Sequence, residues 1–142
     1  MPASSIRSLH PREFEANQTW LAFRMNRLPL LVAEEELDVF VLQDAASMFI
    51  FGTAFGSPGA ACPPMEEVTS LFGQAWSHTQ LWPEELVLPG RPSRSNTFAT
   101  VARGHGIAVR SVAEARMSFY IRDVQSSFEE HSAQQREGGK GG

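Results

Sequence analysis

The stretch Leu86-Val-Leu-Pro-Gly-Arg-Pro92, followed by Ser95–His105 and then Gly106-Ile107, decides the fold of this chain. Leu86-Val87-Leu88 is a short apolar run closed by Pro89-Gly90, the pattern of a buried strand that ends in a turn. Ser95 or Asn96 can cap a helix carrying Phe98, Val101 and Ala102, and Gly104 or Gly106 can end it. Ile107–Arg110 then resumes a strand. Strand, Gly-bearing turn, amphipathic helix, Gly-Ile and a new strand follow one another without a break in this stretch.

Upstream, Trp20–Val32 is rich in large apolar residues and punctuated by Asn26-Arg27, so it reads as one bent strand or two short ones. Asp38–Gln43 is apolar on both faces, as a central strand covered on both sides must be. Met48–Phe55 follows the short turn Asp44-Ala45-Ala46-Ser47, which suits a hairpin. Ser57-Pro58-Gly59 breaks the pattern. Pro63-Pro64 gives a rigid lead-in to a helix, and Glu66-Glu67 place carboxylates in its first turn, where the helix dipole favours them. Met65, Val68, Leu71, Phe72, Ala75 and Trp76 form one apolar face of that helix.

Downstream, Ser111-Val-Ala-Glu114 matches a capping box. Met117, Tyr120, Ile121, Val124 and Phe128 align on one face of the helix it would open. The expected order is therefore β-β-β-α-β-α-β-α: an α/β domain with a five-stranded mixed sheet and helices on both faces. Residues 1–18 read as a polar segment with a short helix at Pro11–Ala16, residues 19–130 as one domain, and residues 131–142 as a flexible Gly-rich tail.

A chain of 142 residues with 42% hydrophobic and 20% charged residues suits a single globular domain. Its formal charge of −4 and scattered arginines (Arg7, Arg12, Arg24, Arg27, Arg91, Arg94, Arg103, Arg110) weigh against nucleic-acid binding, while leaving room for a local patch. Cys62 is alone, so no internal disulfide forms. The N-terminus has no apolar signal core, and no apolar run approaches the roughly 20 residues of a membrane span. A cytoplasmic protein without membrane contact is the expectation.

Two segments resemble the integrase and transposase catalytic core. Val39-Phe-Val-Leu-Gln-Asp-Ala-Ala-Ser-Met-Phe-Ile-Phe-Gly-Thr-Ala54 looks like its second-to-third strand hairpin, and Leu86–Ile107 like its fourth strand, helix and Gly-Ile exit. The resemblance covers the chain from Trp20 to Phe128 and implies a ribonuclease H-like fold. It also implies a chemistry: clustered carboxylates that hold two divalent ions, Mg²⁺ or Mn²⁺, about 3.5–4 Å apart. One acid is wanted in the opening strand, where Arg24 stands, and a second at the end of the fourth, where Leu88-Pro89 stand. A third should project from the final helix, where Glu114, Asp123, Glu129 and Glu130 are available. So depleted a set implies a non-catalytic domain that binds or assembles and needs no cofactor. The alternative is a divergent metal-dependent nuclease or strand-transfer enzyme using Asp38, Asp44 and Asp123 or Glu114. Arg24–Gly56 is also loosely similar to the N-terminal domain of creatinase and prolidase-like enzymes, and a stand-alone copy of that domain would again lack catalysis.

The remaining candidates read as structural. Asp44 suits a turn, where its carboxylate can bond backbone N–H groups. Glu34-Glu35-Glu36 reads as a solvated turn, and His10, His78, His105 and His131 lack ligand spacing. Cys62 precedes a helix, which can activate a thiol, but no base is identifiable. Gly52, Gly56, Gly59 and Gly73 form no phosphate loop. Trp82, in the loop before Pro83, is the candidate anchor for a protein partner, with partial burial as the competing expectation, and pairing with a second copy is expected instead through the apolar opening strand if that strand is an exposed edge.

Overall fold

Residues 38–44 are all buried in the computed structural model, which describes residues 7–26 and 30–128. They belong to β3 (Glu35–Asp44), which has a strand on each edge. β1 (Thr19–Arg24) runs antiparallel to it from Trp20↔Asp44 to Arg24↔Phe40, and β4 (Ile50–Gly56) runs antiparallel from Asp38↔Gly56 to Gln43↔Ile50. β5 (Glu85–Pro89) pairs in parallel with β1, and β6 (Ala108–Val112) in parallel with β5. The sheet order is thus β4-β3-β1-β5-β6, with the short β2 (Leu30–Val32) also pairing with the start of β3. The sheet is mixed, as the alternation of hairpins and helical crossovers requires.

Strand alternation splits the core into two halves. Trp20, Ala22, Phe40, Leu42, Leu86 and Leu88 face α1 (Met65–Thr79) and α2 (Thr97–Gly104), against Val68, Leu71, Phe72, Phe98 and Ala102. Leu21, Phe23, Val41 and Val87 face the other way, against Met117, Tyr120 and Val124. Those three belong to a 3-10 turn, Glu114–Met117, that continues as helix α3 over residues 118–128. Burial on both faces is why these strands read as continuous apolar runs rather than alternating ones.

Several boundaries differ from the sequence expectation. The opening run forms two short strands, β1 and β2, so six strands are present among the described residues. At the break the Asn26 side chain takes over the ladder: Val39 N–H donates to Asn26 Oδ1 at 2.7 Å, and Met25 N–H donates to the Val39 carbonyl at 2.8 Å. The third expected strand starts at Ile50 rather than Met48, because Met48 N–H closes a turn onto the Asp44 carbonyl at 2.9 Å. Ser111 forms no capping box. It lies in β6 opposite Leu88, and Ala113 precedes the 3-10 turn without a side-chain cap. Ladder pairing has claimed that serine's backbone, so it cannot adopt the cap position.

The N-terminal helix expected at Pro11–Ala16 is a single 3-10 turn, Pro11–Glu13, closed by a capping box between His10 and Glu13. The polar segment around it contributes to the core: Leu9 is buried against the α3 side, and its N–H donates to the Arg116 carbonyl at 2.6 Å. The expected tail, residues 131–142, and with it His131, lies outside the described residues, as do Glu129 and Glu130. No described helix is long and apolar enough to cross a membrane.

Candidate binding cleft

β1 and β5 are parallel neighbours, so their last residues, Arg24 and Pro89, come to the same edge of the sheet. Gly90 adopts a left-handed backbone (φ +75°) there, a conformation that side-chain-bearing residues rarely take, and turns the chain out of the sheet. The result is a cleft of about 250 Å³ at the strand ends, the kind of location where parallel α/β sheets place ligands. Ala22, Phe23, Phe40, Leu88 and Phe98 line it as buried apolar residues. Arg91, Pro92 and Asn96, from the β5–α2 connection, line one side. Glu114, Ile121 and Gln125, from the 3-10 turn and α3, line the other.

Two polar groups at this edge are fixed by their neighbours. Arg24 Nη1 lies 3.6 Å from Asp38 Oδ2, with the guanidinium half exposed and the carboxylate buried. Asp38 also accepts from Asn26 Nδ2 at 3.2 Å and from Gly59 N–H at 3.1 Å. Asn96 is the N-cap of α2, its Oδ1 accepting Ala99 N–H at 3.1 Å. That bond fixes which end of the amide faces away from the helix. Asn96 is only 6% exposed, and its Nδ2 has no hydrogen-bond partner among the described residues.

The acids singled out from the sequence do not gather. Asp38 and Glu114 lie toward the cleft end of the sheet. Asp44 sits at the opposite end of β3, six residues or about 20 Å from Asp38. Its carboxylate accepts Asn17 N–H at 2.9 Å, Ser47 N–H at 2.9 Å and Ser47 Oγ–H at 2.7 Å, fastening the hairpin turn to the start of β1. Asp123 is exposed on α3 beside Ser8, Phe119 and Arg122. Among the described residues no three His, Cys, Asp or Glu side chains form a group that could hold a metal ion.

Trp82 is half-buried rather than presented freely. Its indole stacks on His105 with ring centroids 4.0 Å apart and meets Trp20 edge-on at 6.0 Å, closing the aromatic end of the first core. Cys62 Sγ accepts Thr97 N–H at 3.4 Å, which satisfies a free donor in the first turn of α2. His78 stacks on Phe49 at 4.4 Å, and Glu35 and Glu36 are exposed at the start of β3.

At the far end of β5, Glu85 accepts from Arg110 Nε at 3.0 Å and Nη2 at 3.2 Å, and from Thr19 Oγ1 at 2.8 Å. The Arg110 hydrogen bonds hold its carboxyl below the usual range, with help from Thr19 and against the opposing effect of burial. This pair ties β1, β5 and β6 together and stands away from the cleft. What the sequence reading missed was that Arg24, Arg91 and Asn96 line one cleft. Asn96 was legible as a cap, but its unused Nδ2 becomes visible only once the cap is formed.

No protein-family model matches the chain, and no curated protein matches it. Solved structures do. A chain of the simian T-cell lymphotropic virus intasome, in complex with PP2A regulatory subunit B56 gamma, superposes with a TM-score of 0.56 at 15% identity. The match covers 84% of this chain and 39% of that one. Two structures of the HTLV-2 integrase catalytic core domain in complex with magnesium give TM-scores of 0.46 and 0.44 at 18% and 14% identity. They cover 78% and 84% of this chain, and 66% and 86% of theirs. At 15% identity the intasome likeness shows the fold alone, a mixed α/β domain with the ribonuclease H-like arrangement of sheet and helices. This chain spans about two-fifths of the length of the intasome chain.

Proposed function

We propose that this protein is a non-catalytic ribonuclease H-like domain that acts as a binding or assembly module. The observation that carries the reading is the chemistry at the ends of β1 and β5. Phe23, Arg24, Leu88 and Pro89 line the cleft there, and Glu114 is the one carboxylate among the residues lining it. Two divalent ions held close together need several carboxylate oxygens between them. One glutamate in a cleft that otherwise offers guanidinium groups and an apolar floor does not fit that pair, so we derive no metal-dependent step. Asp38 does not supply the deficit, because its oxygens already face Arg24, Asn26 and Gly59 N–H.

Incubation with single- and double-stranded DNA and RNA in Mg²⁺ or Mn²⁺ tests the reading. The expected result is no cleavage and no strand transfer. Cleavage that disappears in Glu114→Gln or Asp38→Asn would overturn it, and cleavage lost in Asp44→Ala or Asp123→Ala would point to the nuclease alternative with a different set of acids.

A specific observation favours a protein partner or a second copy over nucleic acid for the assembly role. Among the described residues β4 has only β3 as a strand neighbour, and Phe49, Ile50 and Phe55 at and beside it are 46%, 40% and 40% exposed. An edge strand with apolar flanks is a template for pairing with another chain. Light scattering reads this directly, and a strictly monomeric protein at high concentration would remove self-association.

A further inference from the structure

The geometry points to a ligand for the cleft: we propose that it binds a small organic monocarboxylate with an apolar, ring-sized body. The inference rests on the reading of the cleft as non-catalytic and adds the chemical class of what it holds.

Three donors define the head-group site. Asn96 is nine-tenths buried, its Oδ1 is consumed by Ala99 N–H, and its Nδ2 is left over at the cleft. Nδ2 is not sealed from water, so an acceptor arriving there exchanges a solvent hydrogen bond for one to a largely buried, positionally fixed amide. Arg91 and Arg24 line the same cleft, and guanidinium groups are the side chains best matched to a carboxylate, which they can engage through two parallel hydrogen bonds. Arg24 is oriented by the buried Asp38 at 3.6 Å, and a guanidinium carries five donors, so N–H groups remain for a ligand.

The body of the ligand follows from the floor and the size. Phe23, Phe40, Leu88 and Phe98 are apolar and buried. A dry apolar cavity of about 150 Å³ is enough for benzene, so a cleft of about 250 Å³ suits one ring with a head group. Glu114 settles the charge. It lines the side opposite Asn96 and repels a second negative charge, which favours a carboxylate over a phosphate dianion.

Benzoate is the probe, with benzyl alcohol and phenyl phosphate as controls and amide chemical-shift titration of the full chain as the readout. Benzoate is expected to give saturable shifts at Leu88, Asn96 and Phe98 in the millimolar range or tighter. Benzyl alcohol and phenyl phosphate should bind about tenfold more weakly or less. Asn96→Asp keeps a competent N-cap while replacing the donor by a carboxylate oxygen, so the fold survives and benzoate affinity should fall at least about tenfold. Arg91→Gln should act in the same direction, and Glu114→Gln should leave binding unchanged or tighter.

Absence of saturable shifts, or unchanged affinity in Asn96→Asp and Arg91→Gln, would overturn the inference. So would loss of benzoate binding in Glu114→Gln, or shifts at this cleft with an oligonucleotide and none with benzoate. The cleavage assay is scored separately. An inert protein that ignores benzoate sinks only the ligand, whereas a protein that cleaves nucleic acid sinks the non-catalytic reading.

Discussion

Replacing Tyr120 by Phe tests how the wall of the cleft is held in place. Tyr120 is fully buried on the first turn of α3, and its hydroxyl donates to the Ala45 carbonyl at 2.8 Å, across 75 residues of sequence. This bond anchors the helix that carries Ile121 and Gln125 to the turn following β3. Phenylalanine preserves the ring and its packing, so the substitution removes one neutral hydrogen bond and strips an interior carbonyl of its side-chain donor. The expected loss is about 1–2 kcal/mol, read as a lower urea midpoint with an unchanged slope.

Titration gives the same residue a second signature. Burial pushes the Tyr120 hydroxyl above the usual tyrosine range, with the Glu13 and Asp44 carboxylates acting in the same direction. A raised value means that the native state retains a proton the unfolded chain releases. The contribution is therefore fully present below about pH 10 and is lost above it, by about 1.4 kcal/mol per pH unit, until the folded protein also ionises. Tyr120 is the chain's one tyrosine, so near-ultraviolet tyrosinate absorbance reports it without overlap from others. Tyrosinate should appear only as the protein unfolds in alkali, and Tyr120→Phe should flatten the decline in stability above pH 10. A reversible tyrosinate transition near pH 10 in protein that is still folded, or a loss well under 0.5 kcal/mol in the variant, would refute the reasoning.

Three further outcomes follow from local geometry. Arg110→Gln should cost about 0.5–1 kcal/mol near neutral pH, because the pair is partly exposed. Since Glu85 is held below its usual range, that difference is present above the ordinary carboxylate pKa and should vanish as pH falls through the lowered value, which paired urea titrations at neutral and acid pH would show. Gly52→Ala would bring a Cβ to 2.7 Å from Gln74 Oε1 and 2.9 Å from Leu71 Cδ1. Gln74 can swing aside but Leu71 is buried, so a loss of about 1–3 kcal/mol in thermal or urea unfolding is expected, and unchanged stability would mean that α1 can slide off β4. Asp44→Ala removes the acceptor of three donors and should cost about 1–3 kcal/mol without changing the shifts that benzoate induces at Asn96, since the two sites lie at opposite ends of the sheet.

The architecture was legible in the chain because it depends on local and periodic signals. The apolar faces of Met65–Trp76 and Met117–Phe128, the double-sided run Asp38–Gln43 and the strand–turn–helix of Leu86–Ile107 each state their own element, and their order leaves few ways to stack them. Boundaries were less legible wherever a side chain replaced a backbone partner. Asn26 took over the ladder between β1 and β2, and the pairing of Ser111 with Leu88 overrode a plausible cap; neither event has a local sequence signature.

The cleft belongs wholly to the tertiary structure. The resemblance to an integrase core led to the expectation of acids where Arg24 and Leu88-Pro89 stand, since those residues could be placed on its strands from the sequence. That Arg24, Arg91, Asn96 and Glu114 line one cleft is set by the parallel pairing of β1 with β5, which joins residues more than sixty positions apart. Which donors remain unsatisfied depends on which bonds the fold has already consumed, and that is settled only when the whole chain has packed.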